Sequence, residues 1–296
     1  MDIGNCYANI PVELNNHNNK GEKMRDYRVN FKKNFLSWSC ICFLAFCLFM
    51  PQSVTAKNKK KFLLKCGTNI FAPFGFIENG KIKGIEVELM HEVGRRLGID
   101  IEINIYKWAT LLESMRFGTL DCMFAAFKTD DRVEFMHYSN VPFHISSLVF
   151  YVHEDKKLDF KGNIKDLQNK RIGIVQGFKN PYIFEKGERR QMYQVFRLRD
   201  LEINFKILQK HCIDAVLVNR HVGEYTLGQL KMDGILPLSV PLTATPAYIT
   251  FSKFVETKDK KLVKDLSYLV PQFDAVLFEI FTDGTYQRIF NKYMNQ

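Results

Sequence analysis

The chain has 296 residues, with 42 Lys+Arg against 32 Asp+Glu, a formal charge of +10 and a 46% hydrophobic content. These are ordinary globular values. They exclude disordered, collagen-like and coiled-coil chains, and the length points to two compact units. Only one continuous apolar run occurs, Phe35 to Met50, which excludes a multi-span membrane protein.

The elements begin with that run. A short basic stretch, Met24 to Lys33, precedes it, and Pro51 followed by Ser53-Val-Thr-Ala56 comes after it. A basic segment, a short apolar segment and an A-x-A-like site are the parts of a secretory signal. Residues 1–56 are therefore read as an N-terminal extension plus signal peptide, with Met24 as the working start and Lys57 as the first mature residue. Cys40 and Cys47 lack the small-residue context of a lipoprotein site, so a free periplasmic protein is expected. The remaining chain keeps 36 Lys+Arg against 28 Asp+Glu, in short clusters such as Lys57–Lys61 and Lys258–Lys261. Such clusters read as solvated faces, and nucleic acid is not an expected partner. Cys66, Cys122 and Cys212 survive processing with no CxxC and no metal-ligand spacing. At most one disulfide fits three cysteines, and their apolar strand contexts favour buried thiols. No metal and no cofactor is expected.

Strand and helix patterns then alternate. Phe62–Cys66 reads as a strand ending in a turn at Gly67. Ile85 to Leu97 places apolar residues at 85, 89, 93 and 97, one helical face, and Gly98 stops it. Ile101–Ile105 alternates as a strand, Ala109–Phe117 is a short helix, and Leu120–Phe127 is an apolar strand of the kind buried in parallel sheets. The pattern repeats with strands at Leu148–Val152, Arg171–Val175 and Gln194–Leu198, and a helix at Asp200–Gln209. A strand at Ile213–Val218 and a helix at Asn219–Leu230 follow. Strands at Ile235–Leu238 and Ala247–Phe251 precede a helical tail from Lys258 to Met294. A βαβαβ order puts ligand sites at the carboxyl ends of the strands.

Several short signatures fall in order along this frame. They include Cys66-Gly-Thr-Asn69, Ala72-Pro-Phe-Gly-Phe76, Gly84-Ile-Glu-Val-Glu-Leu89, Trp108, Phe117-Gly-Thr-Leu-Asp121 and Thr129-Asp-Asp-Arg132. Tyr138-Ser-Asn-Val-Pro-Phe143, the run from Leu167 to Gln176-Gly177, Ile213-Asp-Ala215 and Thr282-Asp-Gly-Thr-Tyr286 complete the series. The ordered set resembles the solute-binding proteins of ABC-type polar amino-acid importers over residues 62–294. The resemblance implies an α/β fold of two lobes closing like a Venus flytrap, each a mostly parallel sheet flanked by helices. One lobe would comprise 57–146 plus 247–296 and the other 147–246, with crossovers near His144–Ser147 and Pro237–Pro246. It further implies a monomer that captures a small molecule with a carboxylate and docks on a membrane ABC permease.

The residues carried over from the family's site are Asn69, Phe71, Trp108, Phe124, Phe127, Thr129, Arg132, Phe178, Lys179 and Asn219. Arg132 matches the position that grips the ligand carboxylate, a task suited to the planar guanidinium fork. Phe71 and Trp108 match aromatic walls, whereas Phe74 and Phe76 read as core. Asp121 and Asp214 read as braces at strand starts rather than catalytic groups.

Departures from the pattern are as informative. Phe124-Ala-Ala-Phe-Lys128 stands where the family usually carries small hydroxyl residues. Asn219 stands where it carries an amine-binding acid, and Phe178-Lys179 stands where it carries a hydroxyl donor. A buried ammonium without such partners is costly, so a small carboxylate with an apolar body is the expected ligand. Two alternatives share the scaffold. One is a binding-deficient sensor or interaction protein. The other is a cyclohexadienyl-dehydratase-like enzyme using a general acid among His144, Glu185, His221 and Glu224. No catalytic triad or nucleotide loop is recognisable, and a non-enzymatic receptor is the preferred reading.

Overall fold

A computed structural model describes residues 62–156, 158–178, 180–254 and 265–295. The expected extension and signal peptide, Lys179 and the start of the tail at Lys258 lie outside the described residues. Among the described residues no helix is long and apolar enough to cross a membrane.

The first elements are β1 (Leu63–Thr68), β2 (Phe76–Glu78), β3 (Lys81–Lys83), α1 (Ile85–Leu97), β4 (Asp100–Ile105) and α2 (Trp108–Arg116). Next come β5 (Cys122–Phe127), the single-turn α3 (Asp130–Val133), β6 (Met136–Tyr138) and β7 (His144–His153). A 3₁₀ turn at Ile164–Leu167 leads to β8 (Arg171–Val175), α4 (Tyr182–Arg189), β9 (Gln194–Leu198), α5 (Leu201–Gln209) and β10 (Ala215–Asn219). The chain ends with α6 (Arg220–Leu230), β11 (Ile235–Pro237), β12 (Thr243–Ser252), α7 (Leu269–Thr282) and α8 (Thr285–Met294).

The main sheet runs β4-β1-β5-β12-β7-β10-β8-β9, with β6 beside β12 and β11 beside β7. It contains two parallel triplets, β4-β1-β5 and β10-β8-β9. The antiparallel neighbours β12 and β7 join them, pairing Thr243 with Leu148 through Ala247 with His144. This is the two-lobed α/β architecture the sequence implies. Apolar material is divided to match. One pair of core clusters gathers Leu64, Leu89, Phe124, Phe251 and Phe273, and Leu111, Met115 and Phe135. The other pair gathers Tyr151, Phe205 and Val216, and Phe150, Phe184 and Ile174.

Local chemistry explains the boundaries. α1 buries Ile85, Leu89, Met90 and Val93 along one stripe and stops at Gly98, whose φ of 67° closes the last turn. It starts after Gly84, where φ is 133° and a Cβ would stand 2.1 Å from the Phe74 carbonyl oxygen. No other residue fits there.

Several expectations need correction. Gly67 does not end β1. It is buried inside a strand that continues to Thr68, and its bare Cα lets Leu111 and Leu120 close over the sheet. β7 and β12 extend well beyond the apolar segments that signalled them, because each pairs with the other at the join. The tail holds two helices where one was expected, split at Gly284 with φ of 81°. Cys66 and Cys122 are a disulfide rather than buried thiols. They are registered partners on the parallel strands β1 and β5, with Cα atoms 4.5 Å apart and no exposure. Sequence spacing cannot show register.

Candidate functional site

Among the described residues, Asn69, Phe71, Trp108, Phe127, Thr129, Phe178 and Asn219 lie at the carboxyl ends of the parallel strands or one to three residues beyond them, Arg132 lies five residues beyond β5, and Phe124 lies inside it. In the first lobe Asn69 and Phe71 follow β1, Trp108 follows β4, and Phe127 and Thr129 end or follow β5. In the second lobe Phe178 follows β8 and Asn219 ends β10. That edge of a parallel sheet is where loops and helix starts converge on a ligand.

Arg132 is the centre of the first-lobe cluster. Its guanidinium carbon lies 5.2 Å from the Trp108 ring centroid, a cation–π arrangement. Its Nη1 donates to the Phe127 carbonyl at 3.0 Å. Its Nε is buried and has no hydrogen-bond partner. A buried guanidinium edge without an acceptor is costly. Tyr138 adds a hydroxyl that donates to the same Phe127 carbonyl at 3.2 Å, and burial pushes its phenol up to about 12. Thr129 is exposed, and its hydroxyl donates to Asp131 at 2.6 Å instead of capping the backbone. That bond holds the Asp131 carboxyl below its usual range, with Arg132 assisting.

A bulge in β5 sorts the aromatics. Phe124 and Ala125 together oppose Ile249 on β12, where the ladder slips between Tyr248 and Thr250. Ala125 takes a φ of 64°, a strained value for a residue with a Cβ. As a result Phe124 turns fully into the core against Phe143, with ring centroids 5.9 Å apart. Phe127 instead remains 39% exposed. The expectation that Phe124 lines the pocket is corrected: its ring is not available.

Phe71 heads a tight loop in which its carbonyl accepts from the Phe74 and Gly75 amides. Its ring stacks on Phe74 at 5.7 Å, and Phe74 stacks on His144 at 4.7 Å. Phe71 and Trp108 pack against different core clusters. The Asn69 amide bonds the neighbouring Ile70 carbonyl at 3.2 Å.

The second lobe differs. Asn219 is 3% exposed, and its carbonyl oxygen caps α6 by accepting from the amides of His221 (3.0 Å) and Val222 (3.2 Å). Its amide nitrogen donates to the Ser146 hydroxyl at 3.0 Å. The side chain is committed to structure, which corrects its assignment to the ligand. Phe178 is 56% exposed on the loop after β8, beside Gly177 with φ of 85°.

Sequence reasoning missed two ion-type contacts near the join, one buried and one half-buried. His144 Nδ1 is 2.6 Å from Glu86 Oε1, both nearly buried, and His221 Nδ1 is 3.0 Å from Glu224. The rings of both histidines lie against Phe74. Glu185 sits on α4 beside Arg189, at 3.8 Å. Only the place of Glu86 in the first turn of α1, within the Gly84 motif, could have drawn notice.

Comparison with known proteins identifies the fold and the family. The chain is 25% identical over 225 residues to a probable amino-acid-binding protein, YxeM, of Bacillus subtilis, covering 76% of this chain and 80% of that one. It is 24% identical to a probable histidine-binding protein of Neisseria gonorrhoeae, over 75% and 79% of the two chains. Among solved structures, the second substrate-binding domain of a putative amino acid ABC transporter from Streptococcus pneumoniae superposes with a TM-score of 0.61. It is 20% identical and covers 79% of this chain and all of that one. Substrate-binding domain 2 of Lactococcus lactis GlnP, in its open conformation, gives a TM-score of 0.61 at 21% identity, over 80% and 97% of the chains. The family model of bacterial extracellular solute-binding proteins, family 3, matches residues 64–296, and the chain belongs to that family.

Proposed function

We propose that this receptor captures a small carboxylate, an amino acid or a related organic acid, between its lobes and delivers it to a membrane ABC importer. The observation that carries the reading is Arg132, stacked over Trp108 with a buried Nε that has no acceptor. Phe71, Phe127 and Phe178 would supply apolar walls, and Asn69, Thr129 and Lys179 polar rims. The lobes are taken as 57–146 with 247–296, and 147–246. A ligand that touches both would favour the closed arrangement, since only there are all its contacts made. The protein is read as a monomeric, non-enzymatic receptor exported to the periplasm by residues 1–56.

Ligand preference follows from the second lobe. Asn219 replaces an acid and is spent on α6 and Ser146, so no second-lobe carboxylate stands in the expected place for an ammonium. Deaminated acids should therefore bind better than the matching amino acids by at least about tenfold, since an unpaired buried ammonium costs more than about 1.4 kcal/mol. A thermal-shift screen of matched pairs tests this. If amino acids win in most pairs, an ammonium partner exists and the preference is wrong. If neither class shifts the wild type, the receptor reading itself fails.

A further inference from the structure

The second lobe carries a cluster at the end of β7 farthest from His144. With nine residue steps along the strand, it lies roughly 30 Å from His144. Donor atoms of His153, Asp155 and His211 all lie within 4.8 Å of one another. His153 Nδ1 is 3.5 Å from an Asp155 carboxylate oxygen, and the rings of His153 and His211 meet edge to face at 4.3 Å. His211 Nδ1 is buried and has no hydrogen-bond partner. We propose that these three residues form a divalent-metal site of the zinc class, with open positions for water.

The chemistry suits the ion. Two imidazoles and one carboxylate form a donor set that zinc, copper and nickel accept, and that calcium and magnesium do not favour. Donors about 2.0–2.2 Å from a tetrahedral zinc stand roughly 3.3 Å apart, close to the His153–Asp155 separation.

The frame is rigid where it matters. His153 pairs with Ile235, and the next amide, Glu154, donates to the Gly234 carbonyl at 2.8 Å. The His211 carbonyl accepts from Arg171 Nη2 at 3.0 Å, and Asp214 grips Arg171 with both oxygens. That carboxylate also offsets the nearby guanidinium charge, which would otherwise repel a cation. Asp155 is the exposed element: its side chain is 73% exposed on a turn, and its amide donates to His153 Nδ1 at 3.2 Å. A metal ion would replace that long bond with a shorter one.

The three ligands sit at positions 153, 155 and 211, so no compact motif announces them. Only the fold brings the end of β7 beside the α5–β10 turn.

The test is zinc titration of the full, tag-free chain after treatment with a chelator, followed by calorimetry and by thermal unfolding. Wild type should bind one zinc at this site and unfold about 5 °C or more higher at a hundredfold excess over Kd. His211→Asn is the informative variant, because φ at 211 is 57° and Asn tolerates that region while offering a poor ligand. His211→Asn and His153→Gln should each weaken this binding about 100-fold, and Asp155→Asn, an exposed change, at least about 10-fold. Should the histidine variants fail to fold, the exposed Asp155→Asn variant and the intensity of the cobalt(II) visible bands of the wild type decide. Absence of a zinc-dependent shift in the wild type overturns the proposal. So do equal affinities in the wild type and the foldable variants.

Discussion

In the first lobe Asp121 accepts the Lys65 amide at 2.8 Å, and in the second Asp214 accepts the Arg171 amide at the same distance. Each acid precedes the strand that neighbours its partner, so the roots of the two parallel triplets are braced alike. Their tips are not. In the first lobe the carboxyl ends present Arg132 with an unspent Nε, Trp108 and an exposed Phe127. In the second, the side chain at the end of β10 is turned inward and consumed by a helix cap and by Ser146. Similar folds can thus hold a binding group in one copy and a structural one in the other, and only the hydrogen-bond account of each side chain separates them.

Four comparisons break or sharpen this contrast. The largest effect is expected from Arg132→Ala, which should cost about 2–5 kcal/mol of ligand affinity, as for truncating one partner of a buried charge pair. Its unfolding transition should barely move, and Arg132→Lys should not restore binding because the ammonium lacks the fork. A destabilised protein with intact affinity would make Arg132 a structural residue. Asn219→Ala should behave in the opposite way. Losing the cap and leaving the Ser146 hydroxyl unpaired should cost about 2–3 kcal/mol in urea unfolding at constant slope. Affinity should change little, and a large affinity loss at unchanged stability would return Asn219 to the site.

The braces are the third comparison. Burial pushes the Asp214 carboxyl up, but its bonds from the Arg171 side chain and backbone outweigh this and hold it below the usual range. A depressed folded value means the contribution is present above the ordinary carboxylate pKa and is lost as pH falls through the lowered one. Asp214→Asn should therefore cost about 1.5–2.5 kcal/mol near neutral pH and progressively less in acid. Asp121→Asn, which only turns a charge-assisted backbone bond into a neutral one, should cost about 1 kcal/mol or less. Equal costs would erase the difference between the braces. The smallest effect belongs to Arg96→Met. Arg96 ties Glu92 of α1 to Asp283 at the α7–α8 junction, with bonds of 2.8 and 2.7 Å. The Arg95 and Arg96 bonds hold Glu92 at about 2, and the Thr285 amide and hydroxyl, with Arg96, hold Asp283 at about 2. Both values are depressed, so the gap in Tm between Arg96→Met and wild type should be full above about pH 4.5 and close by about pH 2. A gap that ignores pH would mean Arg96 acts through packing alone.

Much of this architecture was legible because periodicity and glycine punctuation act locally. α1, β8 and β9 fall where their patterns put them, since Gly98 and the apolar alternation leave no competing reading. The braces Asp121 and Asp214 were also legible, because an acid opening an apolar strand has few other uses. What stayed hidden depends on register. The Cys66–Cys122 disulfide, the β5 bulge that withdraws Phe124, and the Glu86–His144 contact each join residues whose separation carries no period. Asn219 shows the same limit in another form: its alignment with a ligand-binding position was legible, while the inward turn of its amide was not.

The join between the lobes has a mechanical consequence. Four residues after β7 begins, Leu148 is already paired with Thr243 on one side and with Asn219 on the other. The two halves therefore share one continuous hydrogen-bonded ribbon, with no slack loop between them. A change in the angle between the halves has to be absorbed as extra coiling of β7 around β12, spread over several peptide units. Sheets accommodate such coiling readily in their right-handed sense and resist it in the other. The joint is thus a torsion spring with a handedness rather than a free pivot.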